Sequence, residues 1–244
     1  MQAVSILDDA VIQPIVEPTY GHGPPPPSSL PSLRVIGRPT VCLQRPGYRV
    51  VKRLLDVALC LIALPIVLPV LAICAVLIWL DDPGPVLFTQ WRTGRRGTKF
   101  RMYKLRTMVR DAEQRKTELA EQNELSWPDY KISDDPRVTR LGRILRKTSL
   151  DELPQVFNVI KGDMSLVGPR PTSFDLSTYS LWHTERLEVL PGITGLWQIS
   201  GRSNLDFDQR VRLDIEYLKR QNLREDLMIL LRTVAAVVSR RGAY

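Results

Sequence analysis

Residues Val57–Leu80 read VALCLIALPIVLPVLAICAVLIWL, an uncharged run between Asp56 and Asp81 that is interrupted near its middle by Pro65 and Pro69. As a straight helix it would reach roughly 36 Å at about 1.5 Å rise per residue, enough to cross a hydrocarbon core of about 30 Å. On length alone it is a transmembrane span. Each proline, however, removes an N–H and crowds the carbonyl four residues back, and two of them one turn apart point to a bend. Arg49, Lys52 and Arg53 precede the run, and Arg92, Arg95, Arg96, Lys99 and Arg101 follow it. Short basic flanks tend to stay on the cytoplasmic side. Both ends then share one face, which favours a re-entrant hairpin over a span, with freed carbonyls met by side chains, protein packing or water.

Working outward, the 244 residues have room for one domain with a core beside this membrane element. A mean hydropathy of −0.10 and 25% charged residues leave no second segment for lipid and exclude a polytopic carrier. The net charge of +8 calls for anionic partners. The apolar run favours membrane lipid and phosphorylated substrates over nucleic acid, and the basic stretch Arg92–Arg106 is placed to hold the domain against lipid headgroups. Cys42, Cys60 and Cys74 have neither disulfide nor metal-ligand spacing and read as small hydrophobes. No apolar core of signal-peptide length precedes the run, so it is expected to be retained.

Residues 1–46, with Pro24–Pro27 consecutive, read as a disordered proline-rich tail, 47–81 as the membrane element and 82–244 as a catalytic domain. The expected class is α+β, mainly helical. It combines a re-entrant helix hairpin, interfacial amphipathic helices and a small β-hairpin from Val86–Gln90 and Lys99–Lys104. Helices are predicted over Thr107–Leu125, ended by Ser126-Trp127-Pro128, over Val138–Lys147, and over Glu152–Ile160, stopped by Gly162. Two more are predicted over Phe207–Leu218 and Leu227–Val238. In the last, Leu227, Leu230, Leu231, Val234, Val237 and Val238 repeat at helical spacing, which suits an interface or a core equally well.

Histidine chemistry has little to work with, because His22 lies in the tail and a lone His183 is usually structural. No Walker A or dinucleotide-binding glycine pattern is present. The segment Arg146-Lys147-Thr148-Ser149-Leu150-Asp151-Glu152-Leu153-Pro154 instead joins a basic helix end to two adjacent carboxylates. Ser149 and Glu152 have capping-box spacing and Asp151 is a favoured N-cap, so both acids could merely begin a helix. Pro154 suits a first turn and shifts the cap toward Asp151. There a helix N-terminus, Arg146 and Lys147 should keep Asp151 ionised, able to attack phosphorus or to bind Mg²⁺ together with substrate phosphate oxygens. Arg170, between two prolines, is stiffly held for a phosphate. Asp206-Phe207-Asp208 matches the short metal-binding pattern of nucleotide-sugar glycosyltransferases, but its place at a helix start favours capping.

Several segments together resemble the bacterial sugar transferase family of monotopic polyprenyl-phosphate phosphoglycosyl transferases. They are Lys52-Arg53-Leu54-Leu55-Asp56, Phe88-Thr89-Gln90, Tyr103–Met108, Ser149–Gln155, Gly162–Pro171 and Pro191–Gly195. The resemblance implies a re-entrant helix bent at Pro69 and a catalytic Asp151–Glu152 dyad. The family usually has Ser before that proline; here Leu68 stands there, and Pro65 is additional. It also implies transfer of a hexose-1-phosphate, glucose or galactose, from UDP-hexose to undecaprenyl phosphate, with release of UMP through an aspartyl phospho-sugar on Asp151. Mg²⁺ would be the cofactor, held in part by Asp151, and Arg170, Arg146 and Lys104 the phosphate-binding groups. The expected location is the cytoplasmic face of the bacterial inner membrane, with downstream glycosyltransferases as partners. Two other classes stay open: a glycosyltransferase using Asp206 and Asp208 and releasing UDP, and a non-catalytic membrane scaffold.

Overall fold

The computed structural model describes residues 46–124, 132, 134–174, 176–200 and 205–238. Cys42, His22, Ser126-Trp127-Pro128 and all but Pro46 of the expected tail lie outside these residues. Helix α1 (Pro46–Asp81) continues through Pro65 and Pro69 without ending at either. The missing N–H groups leave the carbonyls of Leu61 and Pro65 without their helical donors. Asp56, Cys60, Val67, Cys74 and Ile78 are buried and recur at helical spacing, so one stripe faces the rest of the protein along the whole run. Ile62, Ile66, Ile73, Val76 and Trp79 lie exposed. Only 17% of the most apolar stretch is buried, and among the described residues α1 is the one helix long and apolar enough to cross a membrane.

What the stripe packs on bears on topology. Strands β1 (Leu87–Thr93) and β2 (Lys99–Leu105) form the expected antiparallel hairpin, with Phe88 opposite Lys104 and Arg92 opposite Phe100. Cys60 from the first half of α1 belongs to a core cluster with Phe100, Met102, Val156, Val159 and Met164, and Cys74 and Ile78 from the second half to another with Leu105 and Leu145. Both halves therefore enter cores of the same body. The ends are tied to the same body: Arg53 donates to the carbonyls of Val159 and Ile160 at 2.5 and 2.9 Å, and Asp82 pairs with Arg106 at 3.3 Å.

After the hairpin the chain forms α2 (Ala112–Glu118), α3 (Arg140–Thr148), a 3₁₀ turn at Leu150–Glu152 and α4 (Gln155–Lys161). The helix expected from Thr107 starts only at Ala112 because the preceding residues pair instead. Thr107 O accepts from Thr139 N at 3.1 Å, and Met108 bridges Val138. Thr139 caps α3 by accepting from Gly142 N, and Gly162, at φ +100°, ends α4 as its sequence position suggests. A two-stranded parallel sheet follows, for which no strand was expected: β3 (Ser165–Val167) beside β4 (Gly192–Thr194). A 3₁₀ helix (Leu181–Glu188), α5 (Leu196–Ser200), α6 (Phe207–Arg220) and α7 (Leu223–Val238) complete the order. In α7 the apolar residues divide. Ile229 is buried with Leu230 packed at its side, while Leu227, Leu231 and Val234 are exposed.

Polar ties bind α1 to this second half. Asp226 accepts from Tyr48 at 2.8 Å, Lys52 at 2.9 Å and Tyr217 at 2.6 Å, and Asp56 accepts from Ser165 Oγ at 2.7 Å. The crossing of β3 and β4 has no spare volume. A Cβ on Gly192 would sit 2.1 Å from Gly168 N and 2.4 Å from Thr194 O, both backbone atoms that cannot swing aside. Gly192→Ala is expected to cost about 1–3 kcal/mol, the usual range for overpacking, read as a lower thermal or urea midpoint.

Candidate active site

The 3₁₀ turn carrying the paired acids is set by Ser149, which ends α3 in the left-handed region at φ +58°. That reversal separates the acids from α4, whose N-cap is Pro154, and neither Ser149 nor Asp151 makes a capping bond. The helix-start explanation for these acids is thus not how they are used. Asp151 is buried and Glu152 half-buried.

The two carboxylates differ in their partners. Glu152 receives Arg170 on both oxygens, Nη1 to Oε2 at 3.1 Å and Nη2 to Oε1, and receives Lys104 Nζ on Oε1 at 3.0 Å. These cations hold its carboxyl well below the usual range in spite of burial. Asp151 accepts no hydrogen bond among the described residues, and its nearest cation, Lys104 Nζ, stands 3.8 Å away. Burial pushes its carboxyl up, aided by the charge of Glu152 and only partly offset by Lys104. This differs from the sequence expectation of a helix end stabilising the ion, because Arg146 turns its Nε onto Thr107 Oγ1 at 2.9 Å and acts on Asp151 only through its field.

Of the expected phosphate ligands, Lys104 and Arg170 meet at the dyad and Arg146 stands beside it. Two residues the sequence reading passed over hold Arg170 in place. Arg186 donates to the Arg170 carbonyl at 2.6 Å and pairs with Asp214 at 2.7 Å. Burial pushes Asp214 up to about 6 even so. Nothing in the local sequence links these three positions; only the packing of the Leu181–Glu188 helix against α6 does. Asp206 and Asp208 lie apart from this chemistry. Asp206 caps α6 by accepting from Gln209 N at 2.7 Å, and Asp208 pairs with His183 at 3.0 Å, so the capping and structural readings of both motifs hold.

For a divalent cation the fit is partial. No group of three metal-ligating side chains occurs among the described residues. Asp151 nevertheless presents a carboxylate with no hydrogen-bond donor, which suits Mg²⁺ where substrate phosphates and water complete the shell.

An exposed apolar helix in the same body as a carboxylate held by arginine and lysine fits the class of membrane-associated proteins. More particularly, residues 47–240 match the bacterial sugar transferase family, and the chain belongs to it. It is 46% identical over 199 residues to the galactosyl transferase CpsE of Streptococcus agalactiae, covering 81% of this chain and 44% of that one. It is 42% identical over 210 residues to the undecaprenyl-phosphate galactose phosphotransferase of Salmonella typhimurium, covering 83% and 43%. It is 38% identical over 205 residues to the exopolysaccharide production protein ExoY of Sinorhizobium fredii, covering 82% and 91%. The chain thus spans less than half the length of the first two relatives.

The unequal partnering makes opposite stability changes the expected result. Asp151 has its folded pKa raised, so its ionisation destabilises the fold once pH exceeds that pKa, and the penalty is absent below the unfolded value. Asp151→Asn should raise the melting temperature at pH 7.5, with the gain vanishing toward pH 4. Glu152 has its folded pKa depressed and stabilises at all pH above its unfolded value, the contribution fading as pH falls toward the folded one. Glu152→Gln leaves Arg170 without its ionic partner and Lys104 with only Asp151 at 3.8 Å, and should cost roughly 3 kcal/mol at pH 7.5, the low end for breaking a buried pair. Denaturation midpoints across pH check both signs.

Proposed function

We propose that this protein transfers a hexose-1-phosphate, galactose or glucose, from UDP-hexose to undecaprenyl phosphate, as the first membrane step of exopolysaccharide or related surface-glycan synthesis. The observation that carries this reading is the unequal dyad: Glu152 is occupied by Arg170 and Lys104, while Asp151 is desolvated and free of hydrogen bonds. A carboxylate in that state is the more basic and more nucleophilic of the two.

In the first half-reaction an Asp151 oxygen attacks the phosphorus that bears the sugar. The bond from that phosphorus to the bridging oxygen breaks, and UMP leaves with the electron pair. In the second, an oxygen of the lipid phosphate attacks the same phosphorus and the Asp151 carboxylate departs, giving a polyprenyl diphospho-sugar. Arg170 and Lys104 keep further N–H groups beyond those given to Glu152, and these suit the equatorial phosphate oxygens. Glu152 acts by holding both cations at the required distance. Mg²⁺, bound to Asp151 and substrate phosphates, would neutralise the anions that must approach one another.

The topology belongs to the same proposal. Both ends of α1 are bonded to one domain, and both of its halves enter the core of that domain. A helix crossing the bilayer in this arrangement would draw the charged hairpin into lipid, at a cost of several kcal/mol per desolvated charge. Entry and exit on one face, re-entrant at Pro65 and Pro69, avoids that cost. The face is assigned to the cytoplasm from the basic flanks, where UDP-sugars are available to the lipid phosphate.

Incubation of purified protein with radiolabelled UDP-hexose and no lipid should release UMP in an amount stoichiometric with enzyme and leave label on Asp151. Asp151→Asn should lose at least 10³-fold in turnover, on the order of 4 kcal/mol, together with the adduct. Release of UDP, or UMP release that strictly requires the lipid, would overturn the two-step scheme.

A further inference from the structure

The hairpin brings a second half-buried cation toward the dyad. Opposed residues of an antiparallel pair point to one side and alternate along the strand. Phe88, Gln90 and Arg92 therefore share a face with Phe100, Met102 and Lys104. Lys104 reaches Glu152 from that face, so Gln90 and Arg92 are directed toward the same turn. The end of β1 is stitched to the chain just beyond Arg170: Thr93 bridges Thr172, with Thr93 N donating to Thr172 O at 3.1 Å.

Arg92 is half-buried and forms no ion pair with a described carboxylate. One terminal nitrogen donates to Gln90 Oε1 at 2.6 Å, which fixes the guanidinium plane, while its buried Nε has no hydrogen-bond partner. Burial and the like charge of Arg170 push it down to about 10, with Glu152 as the principal opposing attraction. It is still fully protonated at neutral pH. With Lys104, Arg146 and Arg170, it makes the cations outnumber Asp151 and Glu152. A desolvated, unpaired guanidinium beside another one is unfavourable unless an anion joins them.

We infer that Arg92, oriented by Gln90, is a further binding residue that donates to a phosphate oxygen of the phosphorylated substrate at the Asp151–Glu152 turn. Its guanidinium, with Nε and Nη1 not given to Gln90, carries donors that suit phosphate oxygens. The identity of that substrate rests on the proposed function; the anion site itself does not. The phosphate can come from the nucleotide-sugar or from the lipid.

The test uses the full chain in nanodiscs. Calorimetric titration with pyrophosphate should show about tenfold weaker binding for Arg92→Gln than for the unsubstituted protein, about 1.4 kcal/mol. Arg92→Lys keeps the charge but loses the guanidinium, and should bind at least threefold more weakly. If the glutamine variant does not fold, the lysine variant decides. Unchanged pyrophosphate affinity in the folded variants overturns the inference. A rise in the UDP-hexose concentration giving half-maximal UMP release without lipid assigns Arg92 to the donor phosphate. A rise confined to the lipid dependence assigns it to the acceptor. If the unsubstituted protein releases no UMP from any UDP-hexose while the variants still lose pyrophosphate affinity, the transferase reading fails and the Arg92 site stands.

Discussion

Two adjacent carboxylates in a half-buried turn repel one another, and the structure meets this by compensating only one of them. Unit charges about 4 Å apart at an effective dielectric near 20 interact by roughly 4 kcal/mol, so the position of each nearby cation matters. Lys104 arrives from β2 and Arg170 from the loop after β3, and both close on Glu152. Asp151 is left with burial on one side and a neighbouring negative charge on the other. The asymmetry divides the dyad: one acid organises the cations, and its neighbour accepts no hydrogen bond among the described residues.

That arrangement depends on parts of the chain far apart in sequence. Arg170 is fixed from behind by Arg186, itself paired with buried Asp214 of α6. The strand leading to Arg170 is fixed from below, where Asp56 of α1 accepts from Ser165. Asp226 of α7 gathers Tyr48 and Lys52 from the start of α1 with Tyr217 of α6. The apolar helix is therefore bonded to the elements that carry the reactive turn. An anchor attached in this way fixes the position of the Asp151–Glu152 turn relative to the apolar helix.

Much of the architecture was legible in the residues. The uncharged run, the hairpin, the basic helix before the acids, the glycine stop at Gly162 and the cap at Asp206 each carry a local signal of periodicity or termination, and each formed. Three features were not legible there. The Thr107 helix began late because Thr107 was taken up in pairing with Thr139, a contact made across the chain. The three-residue strands β3 and β4 are too short to show a period. The helix-start explanation for Asp151 failed because Ser149 adopts a left-handed conformation that ends one helix before the next begins.

By itself the sequence determined what is local: which segment is apolar enough for lipid, where helices end, and that Asp151 and Glu152 stand side by side among basic residues. Only the tertiary structure decided which acid is neutralised and which is left bare. Lys104, Arg170 and Arg92 lie 48, 18 and 60 positions from Glu152, and a preference between adjacent carboxylates arises from where such distant cations come to rest. The same holds for α1. Its apolar length is plain in the residues, but what its two halves pack with, Phe100 and Val159 around Cys60 and Leu105 and Leu145 around Cys74, is set by the tertiary fold.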